Sequence, residues 1–254
     1  MFKRMSVGLA FLGATSFALA VEPVAPIVMV NIPAGTLTMG CMTGRDNKGV
    51  ACDKDEFPAH NVSIPAFQLG KYEVTQGQWR AIMGRIPLAL KNCDDNCPVG
   101  NVSWDEAQVF IQKLNAKTQN QFRLPTESEW EYACRGGEAS LYCGGNQLDE
   151  LAWHSKNTQG FARPVGNKKA NAFGLFDMTG NVWEWVQDCR HASYTGAPVS
   201  GNAWETACEG DRRRIRGGGF DSDTKSARAA FRLSFAPSTR YFYTGFRLAK
   251  SSKP

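Results

Sequence analysis

The stretch Arg123-Leu124-Pro125-Thr126-Glu127-Ser128-Glu129-Trp130-Glu131 ends a strand and begins a helix. Pro125 stops the strand, and Thr126 stands three residues before Glu129, which is the spacing of an N-terminal capping box. Glu127 and Glu129 fall in the first helical turn, where the helix dipole favours negative charge. The stretch therefore predicts a strand-to-helix junction with an architectural role.

Two further helices are predicted upstream. Thr75 can cap a short helix that runs to Met83, and Ser103 with Glu106 forms a second capping box. An apolar stripe follows this second cap, at Ala107, Phe110, Ile111 and Leu114. Both helices are therefore expected to be amphipathic and half-buried.

Short strands are expected before the first of these helices. Residues 27–33 and 36–39 are predicted to form a hairpin, and strand character returns in residues 62–72. After Gly136 the chain is rich in Gly, Asn and aromatic residues with few periodic runs, which indicates ordered loops. These patterns predict a loop-rich fold.

Residues 1–20 have the organisation of a secretory signal peptide. Lys3 and Arg4 precede an apolar run that ends in the small-residue pattern Ala18-Leu19-Ala20. The run is shorter than the roughly 20 apolar residues of a membrane span, and no second run follows it. We therefore expect cleavage before Val21, no stable membrane span, a periplasmic or secreted protein, and one domain over residues 21–254.

The charge balance is mild. The formal net charge of +5 falls to +3 when Lys3 and Arg4 are removed, which does not indicate a nucleic-acid partner. The densest basic run is residues 211–216. Clusters of this size usually lie on a solvated face or pair with local acids, and an anion site is the alternative.

All eight cysteines lie after residue 20, and an even count in an exported chain predicts disulfides. Sequence alone does not fix their connectivity, but sequence neighbours form four short-loop pairs. These are Cys41 with Cys52, Cys93 with Cys97, Cys134 with Cys143, and Cys189 with Cys208. A metal site is the less favoured alternative, because the chain has no CxxC and its three histidines stand far apart.

The chain resembles the formylglycine-generating enzymes, also called sulfatase-modifying factors. The matching segments occur in the family's order through nearly the whole chain after residue 20. They are Ile32-Pro33-Ala34-Gly35, Met39-Gly40, Tyr72-Glu73-Val74-Thr75 with Trp79, residues 98–104, residues 123–131, residues 171–178, Gly180-Asn181-Val182-Trp183-Glu184-Trp185, Arg216-Gly217-Gly218-Gly219-Phe220 and Gly245-Phe246-Arg247-Leu248. The resemblance implies an α+β, loop-rich fold related to the C-type lectins, with few short helices around small antiparallel sheets.

The resemblance also implies a structural calcium site in residues 177–184. Carboxylates on a tight, glycine-bearing loop can converge with backbone carbonyls into the oxygen cage that Ca²⁺ prefers. By position in the family, the ligands are the Asp177 and Glu184 side chains and the Gly180 and Val182 carbonyls. An acid pair that only caps a turn is the alternative.

The family's second calcium site maps near Leu151, Ala152, Gln159 and Phe161. Leu151 and Gln159 replace oxygen-rich ligands there, so the resemblance gives this second site little support.

The family's oxidase holds copper through two cysteine thiolates, and soft thiolates are what Cu(I) requires. Ser222 stands in the place of the first cysteine, and no cysteine follows Cys208. We therefore expect no copper and no formylglycine-generating activity. No catalytic residue is identified, although Asp221, Asp223 and Glu184 could in principle do acid/base work.

The resemblance leads to an exported protein that binds a periplasmic protein or peptide in a regulatory or accessory role, such as the regulators beside type VI secretion kinases. Residues 220–243 have the composition of a recognition surface, because Arg and Tyr dominate interaction hot spots. The predicted groove residues are Phe220, Ser222, Arg228, Arg232, Arg240 and Tyr241. Two alternatives stay open: the segment only closes the fold, or the protein is an enzyme of altered chemistry, similar to the family member that matures the pyoverdine chromophore.

Overall fold

Short strands, short helices and long ordered loops make up residues 25–87 and 93–252, which this computed structural model describes. The predicted signal peptide lies outside the described residues. In chain order the elements are β1 (Met29–Ile32), β2 (Gly35–Met39), β3 (His60–Ile64), β4 (Phe67–Gly70), α1 (Gln76–Met83), α2 (Trp104–Thr118), β5 (Phe122–Arg123), α3 (Glu127–Arg135), α4 (Leu148–Leu151), β6 (Trp183–Cys189), β7 (Arg213–Arg216), β8 (Leu233–Phe235), β9 (Thr244–Gly245) and β10 (Ala249–Ser251).

The strands form three sheets, with the orders β1-β4-β10-β5, β2-β3 and β8-β7-β6-β9. Strand pairs are antiparallel except for β6 with β9, which is parallel. The first sheet places β10 between β4 and β5, so the C-terminal strand lies at its centre. The predicted α+β class with few helices and small sheets is confirmed.

The predicted hairpin of residues 27–33 and 36–39 is wrong. β1 pairs with β4, with Ile32 opposite Phe67, and β2 pairs with β3, with Gly35 opposite Ile64. Residues 29–39 thus run antiparallel to residues 60–70 over their whole length. A proline stands in each interruption, at Pro33 and Pro65, where its missing N–H breaks the ladder without turning the chain.

The three predicted helices α1, α2 and α3 are confirmed. Thr75, Ser103 and Thr126 cap them, and each hydroxyl accepts the backbone N–H three residues on, at 3.2, 3.2 and 3.0 Å. The four-residue α4 was not predicted because it is too short to show helical periodicity. Within the described ranges, no helix has the length and apolar character needed to cross a membrane.

Two large apolar clusters form the core. One lies under α3 and the β2-β3 ribbon and contains Phe67 and Trp130. The other lies between α1, α2 and the C-terminal strands, where Trp79 stacks on Phe110 with 5.2 Å between ring centres and Phe246 meets both rings edge-on. Aromatic side chains therefore anchor the short elements to one another.

The predicted disulfides are present, and their connectivity, which sequence alone left open, is that of the four pairs of sequence neighbours. Their Cα–Cα distances range from 4.6 to 6.3 Å, and each bridge closes a loop of 4 to 19 residues. All eight cysteines are therefore bonded to one another, and none offers a thiolate to a metal.

Helix α3 carries two carboxylates into the interior. Both oxygens of Glu127 accept from the Arg232 guanidinium, at 2.8 and 2.5 Å, and Arg216 donates to Glu127 at 3.2 Å. Arg216 also donates to Glu131 at 2.6 Å, and Arg135 approaches Glu131 at 2.8 Å. This buried ion network joins α3 to β7 and to the chain that follows β7.

The network determines the ionisation of Glu127. Burial by itself raises the pKa of this carboxyl, but the guanidinium groups of Arg232, Arg216 and Arg214 outweigh burial and lower the pKa to about 2. Glu127 is therefore charged at neutral pH.

The second half of the basic run at residues 211–216 lies in the interior, while its first half is exposed or half-buried. Arg214 and Arg216 are 1% and 0% exposed, so the predicted solvated face is wrong for both. Both arginines pair with acids, but not with the local acids that were predicted: Arg214 meets Asp55, and Arg216 meets Glu127 and Glu131. These acids are far away in sequence. Strand alternation in β7 sends Arg214 and Arg216 inward to reach them.

Substitution of Glu127 by Gln is expected to lower the free energy of unfolding by about 3–5 kcal/mol, because it leaves the buried Arg232 charge without a carboxylate. The matched control is Glu106→Gln, since Glu106 is also in a first helical turn but pairs with the exposed Arg240. Its cost should be below about 1 kcal/mol. Urea unfolding measures both values, and equal losses would contradict this account of the network.

Candidate functional site

A glycine turn follows β7 and leads from the ion network toward the surface. Gly217 and Gly218 have φ values of +93° and +76°, in the left-handed region that favours glycine. A Cβ at Gly217 would lie 3.1 Å from the Met178 carbonyl oxygen and 3.1 Å from the Trp130 ring. The turn thus packs tightly against the calcium-loop candidate and α3.

Ser222 closes the next turn. Its hydroxyl accepts the Gly219 N–H at 2.8 Å, its own N–H donates to the Gly219 carbonyl at 2.9 Å, and the residue is buried. The prediction that Ser222 lines a groove is wrong, since its side chain is used within the loop. Where the family has its first copper-binding cysteine, this chain therefore has a structural hydroxyl.

Five aromatic rings form a continuous row on the C-terminal segment, which we call the aromatic row. Successive ring centres are separated by 4.6 Å, 5.1 Å, 5.1 Å and 5.6 Å along the order Phe235, Tyr241, Tyr243, Phe242, Phe220. Tyr241 and Tyr243 are stacked with an angle of 10° between their planes. Such contacts hold the rings in place relative to one another.

Two rings of the row are exposed to solvent: Tyr241 is 37% exposed and Phe242 is 44% exposed. Phe220 is 2% exposed and supports the row from below, so its predicted place in an open groove is wrong. Tyr241 lies at the surface as predicted. Phe242 and Phe235 lie in the predicted recognition segment of residues 220–243, although neither was among the predicted groove residues.

The predicted surface roles of Arg228 and Arg232 are wrong. Arg228 donates to both oxygens of the buried Glu56, at 2.8 and 2.5 Å, and Arg232 belongs to the buried ion network. Their charges need carboxylate partners because the interior solvates them poorly. Arg240 differs from them, since its side chain is 55% exposed and pairs with Glu106.

One buried carboxylate oxygen in the predicted calcium loop accepts no hydrogen bond from the described residues. Asp177 is buried, its Oδ2 accepts the Gly166 N–H at 2.6 Å, and its Oδ1 has no hydrogen-bond partner in the described part of the chain. Burial raises the pKa of Asp177 to about 6, and the nearby Glu184 charge adds to this rise. A bound cation would offset both the cost of burying the Asp177 charge and its repulsion from Glu184, so Asp177 fits a metal ligand.

Glu184 is engaged by other groups. Arg247 donates to both of its oxygens at 2.7 Å, and the Trp130 indole N–H donates to Oε2 at 2.8 Å. Glu184 would therefore share its remaining lone pairs with a cation while it keeps Arg247. The fit of this second carboxylate is weaker than that of Asp177.

Glu73 is a third carboxylate at this loop, and sequence reasoning assigned it no role. It is buried, and it accepts the Val182 N–H at 3.0 Å and the Asn181 side-chain N–H at 2.7 Å. Burial, followed by Asp177 and Glu184, raises its pKa. Its place in the matched segment Tyr72-Glu73-Val74-Thr75 was the available signal.

The second calcium position has few free oxygens. The Leu151 side chain packs in an apolar cluster with Ala152, and the Ala152 carbonyl accepts from the Asn157 amide at 3.0 Å. Gln159 is exposed and Phe161 is half-buried. None of these four side chains carries a carboxylate.

A polar cleft of about 610 Å³ was not predicted. It lies away from the aromatic row, between the start of α3 and the loop after β6. The charged groups in it are paired: Arg123 with Glu129, and Glu205 with Arg213. Its residues come from distant segments, so no local sequence pattern marks it.

Comparisons with known proteins agree with the matched segments. The model of the sulfatase-modifying factor enzyme 1-like domain family matches residues 20–252. The chain is 29% identical over 231 residues to the chaperone protein LppX of Paenibacillus barcinonensis, covering 70% of this chain and 78% of that protein. It is 28% identical over 234 residues to the formylglycine-generating enzyme of Bos taurus, covering 66% of this chain and 59% of that enzyme.

Solved structures give the same result. Treponema denticola variable protein 1 superposes with a TM-score of 0.77 and 28% identity, covering 88% of this chain and 95% of that one. The PvdO structure from Pseudomonas aeruginosa gives a TM-score of 0.75 and 30% identity, covering 88% and 94%. The predicted resemblance is confirmed, and the chain belongs to the sulfatase-modifying factor family, which includes the formylglycine-generating enzymes.

Proposed function

We propose that this protein is an exported member of the family that binds a protein or peptide partner through its aromatic row, in a regulatory or accessory role, without formylglycine-generating activity. The single observation that carries the proposal is the outward presentation of Tyr241 and Phe242 on a row of packed rings. Exposed, rigid aromatic side chains are typical anchors of protein interfaces.

The cysteine arrangement supports the loss of the oxidase activity. Every cysteine of the chain is in a disulfide, and none follows Cys208. At the position of the first copper ligand, Ser222 is buried and closes a turn. Since Cu(I) binding requires thiolates, the chain lacks the ligands for this chemistry.

A cysteine-containing sulfatase peptide, incubated with the protein, copper and oxygen, should stay unmodified in mass spectrometry. A family enzyme that has its cysteine pair is the positive control. Conversion of the peptide cysteine to formylglycine by this protein would refute the proposed loss of activity.

Export is supported by the N-terminal pattern of residues 1–20 and by the four disulfides, which form and persist in oxidising compartments. A partner-binding role is supported by the similar chain from Paenibacillus barcinonensis, which is named a chaperone protein. We extend both features to this chain as proposals.

The double substitution Tyr241→Ala, Phe242→Ala should weaken capture of the partner from a periplasmic extract by roughly tenfold or more, because truncated hot-spot aromatics commonly cost about 2 kcal/mol. Phe57→Ala is the control, since Phe57 is similarly exposed, at 41%, but makes none of the ring contacts of the row. Quantitative mass spectrometry of the captured protein gives the readout, with melting curves to verify folding. Equal capture by all three proteins would show that the row is not the interface.

We also propose that the Asp177 loop holds a structural Ca²⁺, with the Asp177 and Glu184 side chains and the Gly180 and Val182 carbonyls as ligands. The orphaned Asp177 oxygen and the three buried carboxylates near Arg247 support a cation here. The ion would hold this loop against the glycine turn that precedes the aromatic row.

Removal of calcium should lower the melting temperature by about 5–10 °C, because a ligand at about 100 times its Kd stabilises the fold by about 2.7 kcal/mol. Asp177→Asn, which tolerates the positive φ of 54° at this position, should reduce the response to added calcium. Differential scanning calorimetry with and without chelator measures both effects. A wild-type melting curve that chelator leaves unchanged would rule out the site.

An enzyme of altered chemistry is the second candidate function. Asp221 lies beside Ser222, its pKa is raised by burial, and its charge contributes to the raised pKa of Tyr243, for which burial is the larger cause. This acid and phenol could serve as proton donors near the exposed rings. Turnover of a small-molecule precursor by protein that captures no partner would favour this candidate.

A further inference from the structure

A small cavity lies next to Tyr241 of the aromatic row. It has a volume of about 100 Å³, and Trp79 forms part of its wall together with Arg85, Glu106 and Arg240. Arg240 directly precedes Tyr241 in the chain. Asn101, which also lines the cavity, donates its backbone N–H to the Tyr241 carbonyl at 3.0 Å. A segment bound across Tyr241 would therefore reach this cavity, which we call the arginine pocket.

The arginine pocket carries an excess of positive charge. The Arg240 guanidinium donates to both Glu106 oxygens, at 2.8 and 2.7 Å, so these two charges offset each other. Arg85 is exposed, and it forms no ion pair among the residues that the structure describes. Two arginines and one glutamate thus line the pocket, so its lining carries one net positive charge that a negative group could offset.

The position of Arg85 at the rim is fixed through its backbone. The buried Trp79 indole donates its N–H to the Arg85 carbonyl at 2.9 Å. Trp79 is itself held in the stack with Phe110. The Arg85 side chain therefore extends from an anchored backbone, which reduces the backbone entropy lost when Arg85 binds a ligand.

The size of the pocket limits the ligand. With a volume of about 100 Å³, the pocket is small, which suits a compact group such as a carboxylate. Guanidinium groups bind carboxylates through paired, charge-assisted hydrogen bonds. The adjoining row offers apolar area for a neighbouring side chain.

We propose that the partner presents an acidic side chain next to an aromatic or aliphatic one. The apolar residue packs on Tyr241 and Phe242, and the carboxylate binds between Arg85 and Arg240. This inference rests on the proposed partner-binding function and specifies the chemistry of the partner: an acidic, apolar peptide segment of another protein.

The test uses a random-peptide phage library, panned against the full-length protein. Retained peptides are expected to combine Asp or Glu with an adjacent aromatic or aliphatic residue. One such peptide and its acid-to-amide analogue are then titrated by fluorescence polarisation. The acidic peptide should bind the wild type about tenfold more tightly than its analogue, as one charged hydrogen-bonding contact predicts.

The Arg85→Gln variant should bind the two peptides with nearly equal affinity, because it lacks the guanidinium that distinguishes the carboxylate of the acidic peptide from the amide of its analogue. Arg190→Gln is the matched control, since Arg190 is an exposed arginine paired with Glu209 and should keep the tenfold preference. Circular dichroism verifies that each variant is folded.

Two results would overturn the inference. If retained peptides lack acids, or if Arg85→Gln keeps the preference for the acidic peptide, the arginine pocket does not select carboxylates, while binding through the row stands. If the wild type retains no more peptide than Tyr241→Ala, Phe242→Ala, the row does not bind peptides, and both proposals are refuted.

Discussion

The fold depends on buried charges that can exist only together. Glu127 and Glu131 enter the interior on α3, and Arg216 and Arg232 reach them from β7 and from the chain after it. A buried ion without its partner would cost several kcal/mol, so these elements are stable only in one mutual arrangement. The network thereby determines where the chain leaves the core after Gly217.

This constraint explains why some residues of the C-terminal segment lie in the interior and others lie at the surface. Arg228 and Arg232 turn inward because Glu56 and Glu127 require them, and the rings that follow at Tyr241 and Phe242 remain outside. The arginines secure the segment, and the aromatic residues present a surface. A family scaffold whose cysteine pair is missing thus retains a rigid, exposed structure that can serve another function.

The predicted calcium loop shows how closely scaffold and site are connected. Glu184 is held by Arg247 and Trp130, and Glu73 holds the backbone at Val182. Hydrogen bonds to three separate segments of the chain therefore hold the loop in this shape independently of a bound ion. Asp177 is the carboxylate with an unpaired oxygen, which makes it the residue through which a cation would act most directly.

Local sequence determined the parts that depend on neighbours in the chain. Helix caps at Thr75, Ser103 and Thr126 were predictable, because their partners lie three residues away. The presence of disulfides was predictable from the cysteine count, whereas their connectivity was not. The same sequence also showed that no cysteine follows Cys208. Tertiary structure alone decided the pairing of β1 with β4, the burial of Arg214, Arg228 and Arg232, and the presence of Arg85 and Arg240 in the lining of one cavity. These outcomes depend on carboxylates, strands and rings that are distant in sequence. The free energy of a buried charge, or of an unpaired strand edge, depends on which groups surround it in the folded chain.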